Sequence, residues 1–131
     1  VFATESANLL AIYAMARNAP NSKIRHIEQV LLLPQASSAN GFVAPDDQVP
    51  NGSFAPTGSS YRDLMNAAIQ SWVGTYIDNY IQHSAILSAT PGHWLLGSTA
   101  NQYVQADGTH PTGAGWGLLV SDFQTRAATW S

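Results

Sequence analysis

The sequence contains no cysteine. Disulfides, thiolate metal sites and a cysteine nucleophile are therefore excluded. The compartment is not fixed by this, since many secreted proteins also lack cysteine; a secreted or extracellular setting is favoured. Charge is scarce as well. Charged residues make up 10% of the chain, against roughly 25% in an average soluble domain. The five Lys and Arg are scattered and the net charge is -3, so nothing neutralises a row of phosphates and nucleic acid is a poor partner. No apolar run approaches the ~20 residues of a membrane-spanning helix.

What is present is apolar. Hydrophobic residues account for 45% of 131, which points away from disorder and suffices for one domain with a core but not for two. The chain opens Val1-Phe2-Ala3, with neither Met nor a basic segment. The expectation is a piece of a larger gene product, with any signal peptide out of sight.

Along the chain, Val1 to Thr4 reads as the tail of a strand. Leu9, Ile12, Tyr13 and Ala16 then mark one face of a helix, with Ser6 as its N-cap. Pro20 stops that helix. Ile24 to Leu33, ending in the run Val30-Leu31-Leu32-Leu33, reads as a buried, parallel strand closed by Pro34. Residues 35–60 lack periodicity and carry Pro45, Pro50, Pro56 and several glycines. They are expected to form an ordered loop excursion beside a site, with Phe42, Val43 and Phe54 to bury. Ser60-Tyr61-Arg62-Asp63 has the form of a capping box. Met65, Ile69, Trp72, Tyr76 and Tyr80 predict one long helix to about Gln82, its aromatics serving the core. Ala85-Ile86-Leu87 reads as a short strand. Trp116, Leu119, Val120, Phe123, Ala127 and Trp130 predict a C-terminal helix with an apolar stripe, entered through Gly113 and Gly115. This alternation implies a parallel sheet with helices on its faces. Two or three strands are too few for such a sheet, so the missing strands are expected from upstream sequence or a second chain.

The chemistry lies in Asp107-Gly108-Thr109-His110-Pro111. Pro111 pushes His110 toward an extended conformation, so the pair sits in a turn ahead of the helix. Such a turn can fold the Asp107 carboxylate onto Nδ1 of His110 and leave Nε2 for a nucleophile, as in the base-and-orienter half of a catalytic triad. Imidazole is the natural base near neutral pH.

This block, with Gly115 and the terminal helix behind it, resembles the last conserved block of the SGNH (GDSL-like) hydrolases, which reads Asp-x-x-His, usually followed by Pro and then Gly. The upstream order of helix, Asn18-Ala19-Pro20-Asn21-Ser22-Lys23-Ile24, buried strand, loop and helix resembles that family too. The likeness spans essentially the whole chain and is sharp only in the final block. It implies the C-terminal part of a flavodoxin-like three-layer α/β/α domain. It also implies serine-dependent hydrolysis of esters, often acetyl esters on carbohydrates, with Asp107 and His110 catalytic and no cofactor. The low charge leans toward a neutral substrate such as an acetylated sugar. The family's Gly-Asp-Ser nucleophile block and the glycine block after it have no counterpart here, so the serine is expected from elsewhere. The family's Gly-x-Asn-Asp motif would fall near Val1 to Ser6, where Glu5 takes the asparagine place. A carboxylate does not donate to an oxyanion unless protonated.

Other readings stand beside this one. His26, His83 and His93 read as ordinary surface or strand histidines. A zinc site from His83, His93, Asp107 and His110 has long spacings. Asp46-Asp47 reads as a solvated turn, too little for calcium. Ser37 and Ser38 follow the strand, where an α/β nucleophile would suit, but no nucleophile elbow surrounds them. The rival to an enzyme is a non-catalytic binding or structural module of the same fold, as in a phage tail or cell-surface assembly.

Overall fold

The first helix, α1 (Phe2–Asn18), starts where a strand tail was expected. Phe2 packs on the core beneath it and Glu5 stands in its first turn, where the helix dipole favours a carboxylate. Ser6 is therefore not a cap, and its hydroxyl donates to the Ala3 carbonyl at 3.1 Å. Ala19, extended ahead of Pro20, ends the helix. The computed structural model describes residues 1–20, 23–43 and 47–130.

The rest of the chain forms β1 (Glu28–Val30), β2 (Ala36–Ser37), β3 (Val49–Pro50), α2 (Tyr61–Ser71), β4 (Asn79–Ile81), a 3₁₀ turn (Ser84–Ile86) and α3 (Gly113–Ala127). The architecture is mixed α/β. β1 and β4 pair in parallel, Glu28 with Asn79 and Val30 with Ile81, and Leu31 N–H extends the ladder to the Ile81 carbonyl at 2.9 Å. β2 and β3 form a two-residue antiparallel pair inside the segment read as loop. Side chains alternate across β1. Glu28 meets Arg126 of α3, and Gln29 accepts from Tyr13 of α1. The two helices thus flank opposite faces of the strand.

α2 begins as the capping box requires, with Asp63 N–H donating to Ser60 Oγ at 3.2 Å. It ends eleven residues earlier than the aromatic spacing suggests, at Ser71 and not near Gln82. Gly74, at φ 81°, reverses the chain, and its N–H closes on the Ile77 carbonyl at 2.9 Å. Tyr80 therefore lies in β4, and β4 replaces the strand expected at 85–87. There His83 takes φ 54° and starts the 3₁₀ turn.

α3 is helical where expected, but its stripe is misplaced. Trp116, Val120 and Phe123 are exposed, while Gly115 and Leu119 are buried. Gly115 sets this rotation: a Cβ there would strike the Tyr103 carbonyl, so glycine lets the helix settle against that backbone and Ile86. At its far end α3 meets β1. The Glu28 side chain, 3% exposed, accepts from Arg126 Nε at 3.1 Å, His26 Nε2 at 2.9 Å and Trp130 Nε1 at 3.1 Å. Burial would raise the Glu28 carboxyl, but these bonds and the Arg126 charge hold it below the ordinary range.

Two apolar cores result. One joins Tyr13, Leu31, Met65, Ile69, Trp72 and Ile77 between α1, α2 and the parallel pair. The other joins Ala36, Phe42, Ile86, Trp94, Val104 and Leu119 beneath the loops that precede α3.

Candidate functional site

The Asp107–His110 turn is held from three sides. An isolated antiparallel bridge between Val104 and Pro111 closes its base, and Gln105 N–H donates to the His110 carbonyl at 2.8 Å. Thr112 caps α3, receiving Gly115 N–H at 3.2 Å and donating to the Gln102 carbonyl at 2.5 Å. In the middle, Gly108 takes φ 65°, and a Cβ would collide with the Ala36 carbonyl oxygen. The Gly108 carbonyl accepts twice, from Ala36 N–H at 3.1 Å and from the indole of Trp94 at 3.0 Å. Trp94 is fully buried, and Gln48 grips its backbone with two bonds of 2.7 Å.

On this base the side chains fold back. Asp107 Oδ1 accepts from the backbone N–H groups of Thr109 at 2.9 Å and His110 at 3.0 Å. Oδ2 stands 2.7 Å from His110 Nδ1. A carboxylate only accepts, so Nδ1 carries the proton and the neutral ring keeps its lone pair on Nε2. The His110 side chain is 69% exposed, and no described residue bonds Nε2. The hydrogen bond from His110, followed by the two backbone donors, pulls the Asp107 carboxyl down to about 2. Asp107 is thus ionised through the neutral and mildly acidic range.

A cleft of 260 Å³ opens beside the turn, lined by Asp107, Thr109, Gln35, Ser37, Val49 and Asn51 among others. β2, β3 and the turn form its walls, so residues 35–37 and 49–51 share this cleft with Asp107. Ser37 is exposed on this wall. Ser38 faces other work: its hydroxyl donates to Asp47 at 2.5 Å and receives Phe42 N–H at 2.9 Å. Asp47 organises that loop through Ala39 and Asn40 N–H as well. Its neighbour Asp46 lies outside the described residues.

Glu5 is not brought to this cleft. It sits in the first turn of α1 and accepts from the Tyr61 hydroxyl at the start of α2. Among the described residues no group of three or more His, Asp or Glu stands close enough to hold a metal ion. His26 is bound to Glu28 and stacks on Trp130 at 4.9 Å between ring centroids. His83 is buried 3.7 Å from Asp122. No helix among the described residues is long and apolar enough to cross a membrane.

Trp94, Gln48 and Gly108, which set the turn, carry no periodic signal. Only Gly108, between Asp107 and Thr109, advertises a special backbone in the sequence. Set against family models, curated proteins and solved structures, the chain has no match in any of the three.

Proposed function

We propose that this chain supplies the acid–base half of a serine ester hydrolase of the SGNH type. The observation that carries the reading is the 2.7 Å contact between Asp107 Oδ2 and His110 Nδ1 in an exposed turn. It leaves Nε2 toward solvent with no described partner. His110 is the general base. It takes the proton of an attacking serine hydroxyl as the tetrahedral intermediate forms, then gives that proton to the leaving alcohol. Asp107 fixes the ring's tautomer and stabilises the imidazolium. The serine and the oxyanion donors come from a segment outside this sequence, which holds no Gly-Asp-Ser. That segment completes a flavodoxin-like three-layer α/β/α domain around β1 and β4. Helices on both faces of β1 support this placement, and the nucleophile then falls at the carboxyl ends of the parallel strands. The substrate class is an acyl ester, with an acetylated carbohydrate favoured. No metal or cofactor enters the mechanism.

The test is hydrolysis of a generic acetyl ester by the longest reading frame containing this chain. His110→Ala is expected to lose about 10³-fold or more in kcat, and Asp107→Asn about 10⁴-fold through the wrong tautomer. Retention of most activity by His110→Ala overturns the mechanism. Ser37 lines the same cleft, so Ser37→Ala supplies the internal control. Activity within tenfold of the parent keeps the nucleophile outside this chain, and a loss as deep as that of His110→Ala moves it to Ser37.

A second reading is favoured by one observation. Trp116, Val120 and Phe123 stand exposed along α3 beside His83, around an apolar groove of 220 Å³. A non-catalytic module would use such a face for assembly. Under that reading His110→Ala leaves every measurable property of the assembled protein unchanged.

A further inference from the structure

A second cleft, of 420 Å³, lies at the carboxyl end of the parallel pair. Gln82 and Ser84, which follow β4 directly, form one wall. Ser88, Thr90 and His93 form another, and Arg62 of α2 closes the floor. The volume suits a small-molecule ligand.

Arg62 is the unusual member. Its side chain is only 12% exposed, yet its charge is poorly matched. Nε donates to the Leu32 carbonyl at 3.0 Å. The nearest carboxylate, Asp63, touches Nη1 only at 4.0 Å. Asp63 is committed elsewhere, since its Oδ2 accepts from Gly58 N–H at 2.7 Å. No other hydrogen bond holds the guanidinium among the described residues. Two other arginines are closely paired: Arg17 meets Asp78 at 2.8 Å and Arg126 meets Glu28 at 3.1 Å. A cation removed from water is stable when it is paired, and Arg62 lines the cleft with its Nη groups short of partners.

We propose that the Arg62 cleft binds a carboxylate carried on a hydroxyl-rich scaffold, an acidic sugar. One guanidinium with Nε already engaged offers a two-donor edge, which matches a planar monoanion. Among the described residues no other Lys or Arg lines the cleft, and the net charge of -3 disfavours a more highly charged phosphate. The hydroxyls of Ser84, Ser88 and Thr90 and the amide of Gln82 match ring hydroxyls. Burial lowers the Arg62 pKa, in keeping with a charge short of partners.

The cleft adjoins the Asp107–His110 side of the molecule. Gly92, on its wall, has φ 79°, and a Cβ there would stand 2.8 Å from Pro56 and 3.6 Å from Pro50. Pro50 in turn lines the cleft beside Asp107. Through Gly92 and Pro50 the two clefts share a wall. The carboxylate site does not rest on the hydrolase reading.

The test is titration of the purified product of the longest reading frame containing this chain with D-glucuronate, D-glucose and inorganic phosphate at matched ionic strength, followed by amide and Arg Nε NMR shifts. Glucuronate is expected to bind at least tenfold tighter than glucose, with shifts at Arg62, Gln82 and Ser88. Arg62→Gln is expected to lose more than tenfold, with partial recovery in Arg62→Lys. Ala89→Trp, at an exposed position on the rim, is expected to block the cleft with the guanidinium intact. Equal binding of glucose, tighter binding of phosphate, no binding, or no response to either Arg62→Gln or Ala89→Trp overturns the assignment. His110→Ala is expected to bind glucuronate like the parent. Ester hydrolysis that is absent from the parent or survives in His110→Ala therefore sinks the hydrolase and spares the carboxylate site. Glucuronate binding that is absent from the parent or indifferent to Arg62→Gln does the reverse.

Discussion

The two cores are made differently. The core of Met65, Ile69, Trp72 and Ile77 is built by elements with regular hydrogen bonding, and its members repeat along the chain. The core of Phe42, Ile86, Trp94 and Val104 is gathered from turns and isolated bridges. It depends on single polar bonds, above all Gln48 to Trp94 and Trp94 to Gly108. The regular core supplies stability, while the irregular one fixes one turn in space. Reactive residues commonly sit on loops held by a rigid frame. Here the Trp94 indole on the Gly108 carbonyl joins the Ala36 N–H and the Val104–Pro111 bridge in holding the loop.

The sharpest way to break this contrast is Gly108→Val. A β-branched residue at φ 65°, with its Cβ against the Ala36 carbonyl, is expected to cost about 4 kcal/mol or more. It is also expected to scatter the imidazole ¹⁵N shifts that report the His110 tautomer. Ile69→Ala, in the regular core, is expected to cost about 3 kcal/mol in denaturant unfolding and leave those shifts in place. If Ile69→Ala also disturbs the tautomer, the two cores do not divide the labour. Trp94→Phe keeps most of the buried ring but removes the donor to Gly108. About 1–2 kcal/mol is expected, with the His110 ¹⁵N shifts disturbed under conditions where the chain stays folded.

The smallest effect is a pH dependence that separates the two regions. Burial lowers the His83 pKa, so the unfolded chain protonates first on acidification. Stability from the neutral ring is full above about pH 6.5 and declines as pH falls toward the folded value. Glu28 is depressed as well. Its contribution is full above about pH 4.3 and fades below that. His83→Gln is expected to flatten the fall of the unfolding midpoint just below about pH 6.5 and leave the Glu28 limb intact. Asp107, down at about 2, has no part in that upper window.

What could be read from the sequence follows the same division. The parallel strand around Val30, the Ser60 cap, the span of α3 and the Asp107–His110 pairing all rest on local rules of period, capping and turn chemistry. The end of α2 escaped because Trp72, Tyr76 and Tyr80 keep a helical spacing past Gly74, and period is blind to a single glycine at positive φ. The buried face of α3 escaped because its position follows from Gly115 against the Tyr103 carbonyl, a contact between segments. Arg62 escaped for a similar reason. In sequence it is one residue of a capping box, and only the folded chain shows that it lines a cavity.

The Glu28 cluster bears on how the chain is made. Its Arg126 and Trp130 donors stand 98 and 102 residues downstream. A carboxylate is costly to dehydrate before its donors arrive, and contacts across such separations are slow to close. During synthesis the strand that begins at Glu28 therefore keeps that face in water. It seals only after the last helix has left the ribosome.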